Sequence, residues 1–356
     1  MEELITCLHL HTRYSDGHAT HQQLAQIGLE NNIDLLLTTD HNVHVGGVDG
    51  YHTNGGGRRL LLLAGEEIHD QARQPTKSHL LVFGAGRELA TFAPEPQNLI
   101  NQVNRSGGLT FLAHPFERAL PAFHELDISW DDWDVTGYTG IELWNGLSEF
   151  KTVSRSVLHA LFYALFPSFL AHGPDARTLE KWDHLIATGQ RVVAVGGADA
   201  HALPVRLGPL RTTLYPYAYH FRAVTTHLLT PTGLTGNLMD DRRMVLEALQ
   251  QGHAFIGYDL PEPTTGFRFS AQGRSRNAIP GDEIPLEGGV TFQIRLPLGV
   301  ECRLIRDGQP VKTWRRQEFC TYMAGQPGAY RVSCHIQFRG KRRCWILSNP
   351  IYVRPT

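Results

Sequence analysis

Up to about residue 257 the chain repeats one rhythm: a short apolar run, a turn, then a stretch whose apolar residues return every three or four positions. The runs Thr6 to His11, Leu35 to Thr38, Leu60 to Ala64, His79 to Phe83, Thr110 to Ala113, Gly140 to Leu143 and Val192 to Gly196 have the length of strands. Helices are predicted over Thr20 to Asn31, where Leu24, Ile27 and Leu29 recur and Thr20 supplies an N-cap, and over Pro96 to Arg105. Strands alternating with helices predict a mainly parallel sheet, and seven of them predict a barrel.

Past Pro261 to Pro263 the helical period disappears. The segments GVTFQIRLPL, ECRLIRDGQPVKTW, GQPGAYRVSCHI and CWILSNPIYVRP alternate apolar and polar residues, and Asp307-Gly308 is a hairpin signal. We therefore expect an α/β domain over residues 1–260 and an immunoglobulin-like β-sandwich over 264–356, without a catalytic cluster of its own.

Composition agrees with a folded chain of two domains: 356 residues, 42% hydrophobic and 19% charged. A formal net charge of −2 supplies no overall pull toward nucleic acid or an anionic membrane. That argues against a nuclease of long duplexes and leaves short single-stranded ends open. The N-terminus MEELITCLHLHTRYSDG lacks the pattern of a secretory signal, so a cytoplasmic location is expected. The longest apolar stretch, Leu158 to Ala171, is 14 residues and contains Pro167, too short for a membrane span; it reads as a packed or lid helix. Cys302, Cys320, Cys334 and Cys344 form no CxxC pair and read, with Cys7, as reduced thiols.

The chemistry lies in side chains that end the predicted strands, where α/β folds place functional residues. His9-Leu-His11 is followed by Ser15-Asp16-Gly17; on a strand, positions i and i+2 share a face, so both imidazoles would reach one metal ion and the loop would return Asp16 to it. Thr39-Asp40-His41, Gly65-Glu66-Glu67, Ser78-His79, Ala113-His114-Pro115 and Asp199-Ala-His201 follow, one per β unit. Each piece is commonplace alone, since a single His at a strand end is usually a hydrogen-bonded core residue. Their order and density make a metal centre the better reading.

In this order the motifs resemble the PHP (polymerase and histidinol phosphatase) superfamily, whose pattern of HxH...SDG, TDH, GxE, H, HP and DxH is matched across residues 7 to 202. The resemblance implies a distorted seven-stranded (β/α) PHP barrel ahead of the sandwich, holding two or three divalent metal ions. It implies His9, His11, Asp16, His41, Glu67, His79, His114, Asp199 and His201 as ligands, with Glu66 the alternative to Glu67. Asp40-His41-Asn42, the segment Ile141 to Gly146 and the ending Ser348-Asn349-Pro350-Ile351 further resemble the group related to carbaryl hydrolase.

Six His and three carboxylates suit Mn, Fe or Zn better than Mg. The resemblance implies a phosphoesterase that activates water on a di- or trinuclear site, with Asp16, His41, Glu67 and Asp199 as the catalytic set. Its substrate would be a small phosphate ester, a nucleotide or an oligonucleotide end. Hydrolysis of a carboxylic ester or carbamate is the alternative, and a regulatory or scaffolding module with a partner-binding sandwich is a third reading. Substrate contacts are expected from Arg13, Lys77, Asn145, Arg206 and Arg211, although each also reads as a solvated or capping residue. His18, His21 and His44 lie near the motifs as candidates for proton transfer. Phe150 to Leu185 would form a lid or an elaboration packed on the barrel.

Overall fold

The computed structural model describes residues 1–121, 125–154, 156–207 and 210–355, and the chain is mixed α/β. Its first part runs β1 (Glu2–Leu8), α1 (His21–Glu30), β2 (Leu35–Thr38), β3 (Gly50–Thr53), β4 (Arg59–Ile68), β5 (Leu80–Phe83), α2 (Pro96–Arg105) and β6 (Leu109–Leu112). It continues with β7 (Gly140–Asn145), α3 (Ser148–Val153), α4 (Val157–Leu165), α5 (Ala176–Ala187) and β8 (Val193–Gly197). A ribbon of β9 (Leu203–Leu207) and β10 (Leu210–Leu214) follows, then α6 (Tyr217–His220), β11 (Val224–Thr230), α7 (Leu238–Gln251) and β12 (Ala254–Tyr258).

Local chemistry places the helices. Thr20 accepts the Gln23 N–H while Gln23 reaches back to the Thr20 N–H, a reciprocal cap that starts α1 and turns Leu24, Ala25 and Leu29 inward. Pro96 opens α2, which buries Leu99, Ile100 and Val103. By contrast α4 buries only Ala160, leaving Leu158 77% exposed, so the apolar stretch expected as a packed or lid helix has much of its surface facing solvent. Among the described residues, no helix is long and apolar enough to cross a membrane.

The strands neighbour one another in the order β1, β2, β4, β5, β6, β7, β8. From β8 the series returns to the segment after β1: the Ala198 N–H donates to the Leu8 carbonyl at 3.0 Å, and Leu10 bridges Ala200 in parallel. The sheet is less parallel than the alternation of elements predicts. β5 is antiparallel to β4, because the connection from Ile68 to Leu80 contains no helix and a parallel return needs a crossover, and it is antiparallel to β6 as well, on the far side of α2. The hairpin partner β3 was not foreseen either; its sequence, GYHT, carries no apolar run.

The tail contributes β13 (Arg268–Gln272), β14 (Asn277–Ala278), β15 (Glu283–Pro285), β16 (Val290–Arg306), β17 (Gln309–Ala324), β18 (Gly328–Phe338), β19 (Lys341–Ser348) and β20 (Ile351–Arg354). Asp307 and Gly308, both at positive φ (49° and 79°), close the β16–β17 hairpin as their sequence predicts. All five cysteines are free and buried.

Hydrogen bonding does not stop where the texture changes. β12 pairs with β19 through Phe255–Ser348, Ile256–Leu347 and Gly257–Ile346, and Leu229 and Phe255 share a core cluster with the tail's Phe269, Phe292 and Trp345. Asn349 is inserted against β8: its Oδ1 accepts the Ala194 N–H at 2.8 Å, and its Nδ2 donates to the carbonyls of Ala194 (2.9 Å) and Ala254 (3.2 Å). The buried Arg331 guanidinium forks onto Asp183 of α5 at 2.7 and 2.6 Å. At the other end, fully buried His227 of β11 places Nδ1 2.8 Å from Glu3 and Nε2 3.3 Å from Asp259, while Glu3 also binds Arg268.

Two stability effects follow. Asn349→Ala strands the buried backbone N–H and carbonyl of Ala194, while Ala254 keeps the Asn349 backbone N–H, and the change is expected to cost about 1–3 kcal/mol in denaturant unfolding. For His227, burial opposes the charge but Asp259 and Glu3 carry its pKa from 6.5 up to about 9. The folded state thus binds the His227 proton more tightly than the unfolded state. That contribution is complete below pH 6.5 and is lost as pH rises through about 9. His227→Gln should therefore flatten the decline of Tm between those two pH values, measured by calorimetry.

Candidate metal centre

β4 decides the centre of the site. Successive strand residues point to opposite faces, so Glu66 and Glu67 part company. Glu67 turns inward, fully buried, with Oε2 3.0 Å from His9 Nε2, 3.2 Å from His11 Nε2 and 3.2 Å from His41 Nδ1. Its Oε1 lies 2.8 Å from His79 Nδ1 and 3.0 Å from His114 Nε2. Glu66 faces the other way; burial and the neighbouring Glu88 raise its pKa to about 9.

The remaining carboxylates flank this group. Asp199 Oδ1 is 3.3 Å from His11 Nε2, 3.5 Å from His9 Nε2 and 3.6 Å from His201 Nδ1. Asp16, whose side chain is 55% exposed, stands 3.2 Å from His201 Nε2, 3.6 Å from His11 Nδ1 and 3.7 Å from His41 Nε2. All nine side chains expected as ligands therefore meet in one place, at the ends of β1, β2, β4, β6 and β8 and the start of β5.

The chain reaches this geometry by leaving the strands rather than by following them. β1 ends at Leu8, not at His11, and His9 has φ 63°, so the pair converges across a bend at His9 instead of sharing one face of a regular strand. His114 (φ 29°) and Asp199 (φ 50°) also adopt backbone conformations that non-glycine residues rarely occupy. Close approach demands glycine at two points. A Cβ on Gly197 would stand 1.8 Å from Glu142 Oε1, and one on Gly17 would stand 2.1 Å from the His11 carbonyl oxygen.

Supporting residues hold the inner groups in place. Glu142, buried in β7, lies 2.8 Å from His9 Nδ1 and accepts the His114 N–H at 2.8 Å and Asn145 Nδ2 at 2.9 Å. Asp40 accepts Thr12 N–H (2.7 Å), Thr12 Oγ1 (2.7 Å) and Ser15 Oγ (2.8 Å), fixing the loop that carries Asp16. Neither role was foreseen, although a charge within the apolar run of β7 is a signal. His69 was missed as well: one ring nitrogen from each of His41, His69 and His79 lies within 4.8 Å of the other two. Glu67-Ile-His69 repeats the i, i+2 spacing of the HxH and DxH pairs, which would have flagged it.

The side chains expected to meet substrate are placed as follows. Asn145 uses both ends of its amide internally: Nδ2 toward Glu142 and Asp199 (3.3 Å), Oδ1 toward the N–H groups of Leu147 (3.0 Å) and Ser148 (2.7 Å). Arg13 is exposed in the loop between His11 and Asp16, with Nε donating to the His18 carbonyl at 3.2 Å. Lys77 pairs with Asp131 at 3.3 Å. Arg211 is exposed on β10, and the side chain of Arg206 lies outside the described residues. Of the His residues named for proton transfer, His18 Nδ1 lies 3.2 Å from the His201 carbonyl and His21 Nε2 lies 3.9 Å from Asp40. His44 engages Glu88 through its backbone N–H. A cavity of about 300 Å³ adjoins the centre, lined by His114, Phe116, Trp144, Asn145, His172 and Arg177.

The electrostatics fit divalent cations. Glu67 has about four lone-pair sites for five imidazole nitrogens, and every neutral ring has one nitrogen that cannot donate. Two donors each about 2.1 Å from one ion stand roughly 3 Å apart, which is the spacing found around Glu67. Without a cation, burial raises the Glu67 pKa, yet His9, His41 and His79 hold it well below the carboxylate range. Burial likewise opposes charge on His11, while Asp199 and Glu67 bring it to about 9.

No family model matches this chain, and no curated protein matches it. Solved structures similar to it include a two-domain protein from Bacteroides vulgatus containing a predicted PHP-like metal-dependent phosphoesterase. That protein is 13% identical over 98% of this chain and 95% of its own, with a TM-score of 0.45. A candidate metal-dependent phosphoesterase from Bifidobacterium adolescentis is 16% identical over 59% of this chain and 92% of its own, with a TM-score of 0.35. An amidohydrolase from Chromobacterium violaceum is 16% identical over 55% and 87%, with a TM-score of 0.30.

The opposite orientations of adjacent glutamates can be measured directly. Glu67→Gln should lower bound metal severalfold by elemental analysis, because an amide offers one neutral oxygen in place of a carboxylate. Glu66→Gln replaces a group already held neutral and should leave metal content unchanged.

Proposed function

We propose that this chain is a metal-dependent hydrolase of the PHP type, and that its preferred substrates are small phosphate esters, nucleotides or oligonucleotide ends. The observation that carries this reading is Glu67, buried with five imidazole nitrogens within 3.2 Å and flanked by Asp199 and Asp16. The ring of seven strand neighbours fits the distorted PHP barrel, and the strands of residues 264–356 fit an immunoglobulin-like sandwich joined to it through β12 and β19.

His9, His11, Glu67 and Asp199 would hold one ion; Glu67, His79 and His114 a second; Asp16, His41 and His201 a third. Manganese, iron or zinc suits this nitrogen-rich set. Such ions would supply Lewis acidity, lowering the pKa of water and offsetting negative charge on an ester.

The chain's own residues do the positioning. Glu142 orients His9, and Asn145 steadies Glu142 and Asp199. Asp40 sets the loop on which Asp16 faces solvent. The open side, marked by Asp16 and the partly exposed His41, is where substrate would enter, and Arg13 nearby would meet its anionic group. A second reading, hydrolysis of a carboxylic ester or carbamate, is favoured by the Phe116 and Trp144 walls of the adjoining cavity, which suit an apolar leaving group.

One preparation separates these readings. Elemental analysis should find two or three equivalents of manganese, iron or zinc, and the same sample should release p-nitrophenol from the phosphate ester. Turnover of p-nitrophenyl acetate alone would favour the second reading. Absence of both metal and turnover after reconstitution would overturn the proposal.

A further inference from the structure

α4 turns its apolar face outward. Val157, Leu158, Leu161, Phe162, Leu165 and Phe166 recur at the spacing of one helical face, and all six are between 40% and 77% exposed. Toward the body of the protein the helix turns buried Ala160 and the partly buried Tyr163 and Ala164. A contiguous apolar surface of this kind marks a contact with a partner or a membrane. Both ends of the segment are anchored. Ser156 accepts the His159 N–H at 3.3 Å at its start, and Tyr219 donates its hydroxyl to the Pro167 carbonyl at 2.9 Å just past its end. The buried Arg343 guanidinium then holds the carbonyls of Phe169 (3.0 Å) and Ala171.

The turn after α4 joins this stripe to a basic hairpin. The Phe169 ring packs on Phe162 (centroids 5.3 Å apart) and Phe166 (6.4 Å), and the Arg339 guanidinium lies 5.4 Å from the centre of the Phe169 ring. Arg339 and Gly340, at φ 51° and 75°, close the turn between β18 and β19, and exposed Lys341 and Arg342 follow. Arg342 pairs with Glu301 at 2.7 Å, while Arg339 and Lys341 extend into solvent. The Cys344 N–H donates to the His172 carbonyl at 2.8 Å, so β19 runs beside the same segment. Residues 150–174 and 338–343 contain no Asp or Glu.

An apolar stripe with a positive edge selects its occupant. A second copy seated face to face would set one basic hairpin against another across an apolar seam, with no carboxylate from either segment to offset them. An anionic bilayer matches both parts: acyl chains meet the stripe, and phosphate-bearing headgroups meet Arg339 and Lys341. The net charge of −2 does not oppose this, because salt confines the attraction to charges within about 10 Å of the surface.

We propose that α4, the turn at Phe169 and the β18–β19 hairpin form a docking surface for an anionic lipid bilayer, with the six apolar side chains inserted at the headgroup boundary and Arg339 and Lys341 on lipid phosphates. Docking would hold the protein by the connection between β7 and β8, the strands that lead to Asn145 and Asp199. Nothing in this surface depends on which ester the metal centre hydrolyses.

The test is co-sedimentation of the full-length protein with vesicles of phosphatidylcholine alone, and with vesicles in which about one-third of the lipid is phosphatidylserine. The wild type should bind the anionic vesicles and release them as salt is raised. Leu158→Glu combined with Leu165→Glu should weaken binding by about tenfold or more. Arg339→Gln combined with Lys341→Gln should weaken it by roughly twentyfold and remove most of its salt dependence. All four side chains are exposed, so both variants should keep the wild-type Tm. A wild type that does not sediment with anionic vesicles would overturn the proposal, as would equal binding to phosphatidylcholine alone or undiminished binding by the Leu158→Glu, Leu165→Glu variant. A wild-type dimer in vesicle-free solution that this variant dissociates, seen by light scattering, would also overturn it and give the stripe to a second copy.

Discussion

A carboxylate with no exposure to water, crowded by five imidazole nitrogens, is the constraint on which the rest of this structure depends. Burying a carboxylate is costly unless it is matched by positive charge. Divalent cations would supply that charge and leave the imidazole nitrogens free as ligands. The surrounding backbone is shaped to keep the donors converged: His9, His114 and Asp199 accept unfavourable φ values, and Gly197 leaves the room that Glu142 fills. Strain of this kind persists only where neighbouring contacts over-determine it, and Glu142, Asn145 and Asp40 supply those contacts.

The tail is part of the same problem. β8 delivers Asp199 and His201, and one of its inner residues, Ala194, completes its backbone hydrogen bonds through Asn349. Arg331 on Asp183 ties β18 to α5, the helix that precedes β8, and β19 continues the sheet from β12. A strand supported from one side only would let Asp199 drift by fractions of an ångström, enough to weaken a metal site. The tail thus packs directly against the elements that lead to Asp199 and His201.

Most of the candidate site was legible because its side chains are chemically conspicuous and recur at strand ends. The apolar runs located the strands to within a few residues, and Thr20 and Pro96 marked the helix starts. Three features were not legible. The antiparallel β5 depends on the absence of a helix after Ile68, which local periodicity reads only as a loop. Glu142 was hidden inside an apolar run, where it passes for a strand residue that escaped burial. His69 was passed over because one β unit was assigned one ligand cluster, and Glu67 had already taken that place.

By itself, the sequence determined the kind of chemistry available and its order along the chain: nine imidazoles and carboxylates, one cluster per β unit, with an alternating tail behind them. Residue type and period are local properties, so they survive without coordinates. Only the tertiary structure placed Glu67, and not Glu66, among the imidazoles, because that depends on which face of β4 meets the other strands. It also decided that a bend at His9 brings His9 and His11 together, and that Asn349 completes β8 from 155 residues away. These are relations between atoms distant in sequence, set by packing, and no local pattern encodes them.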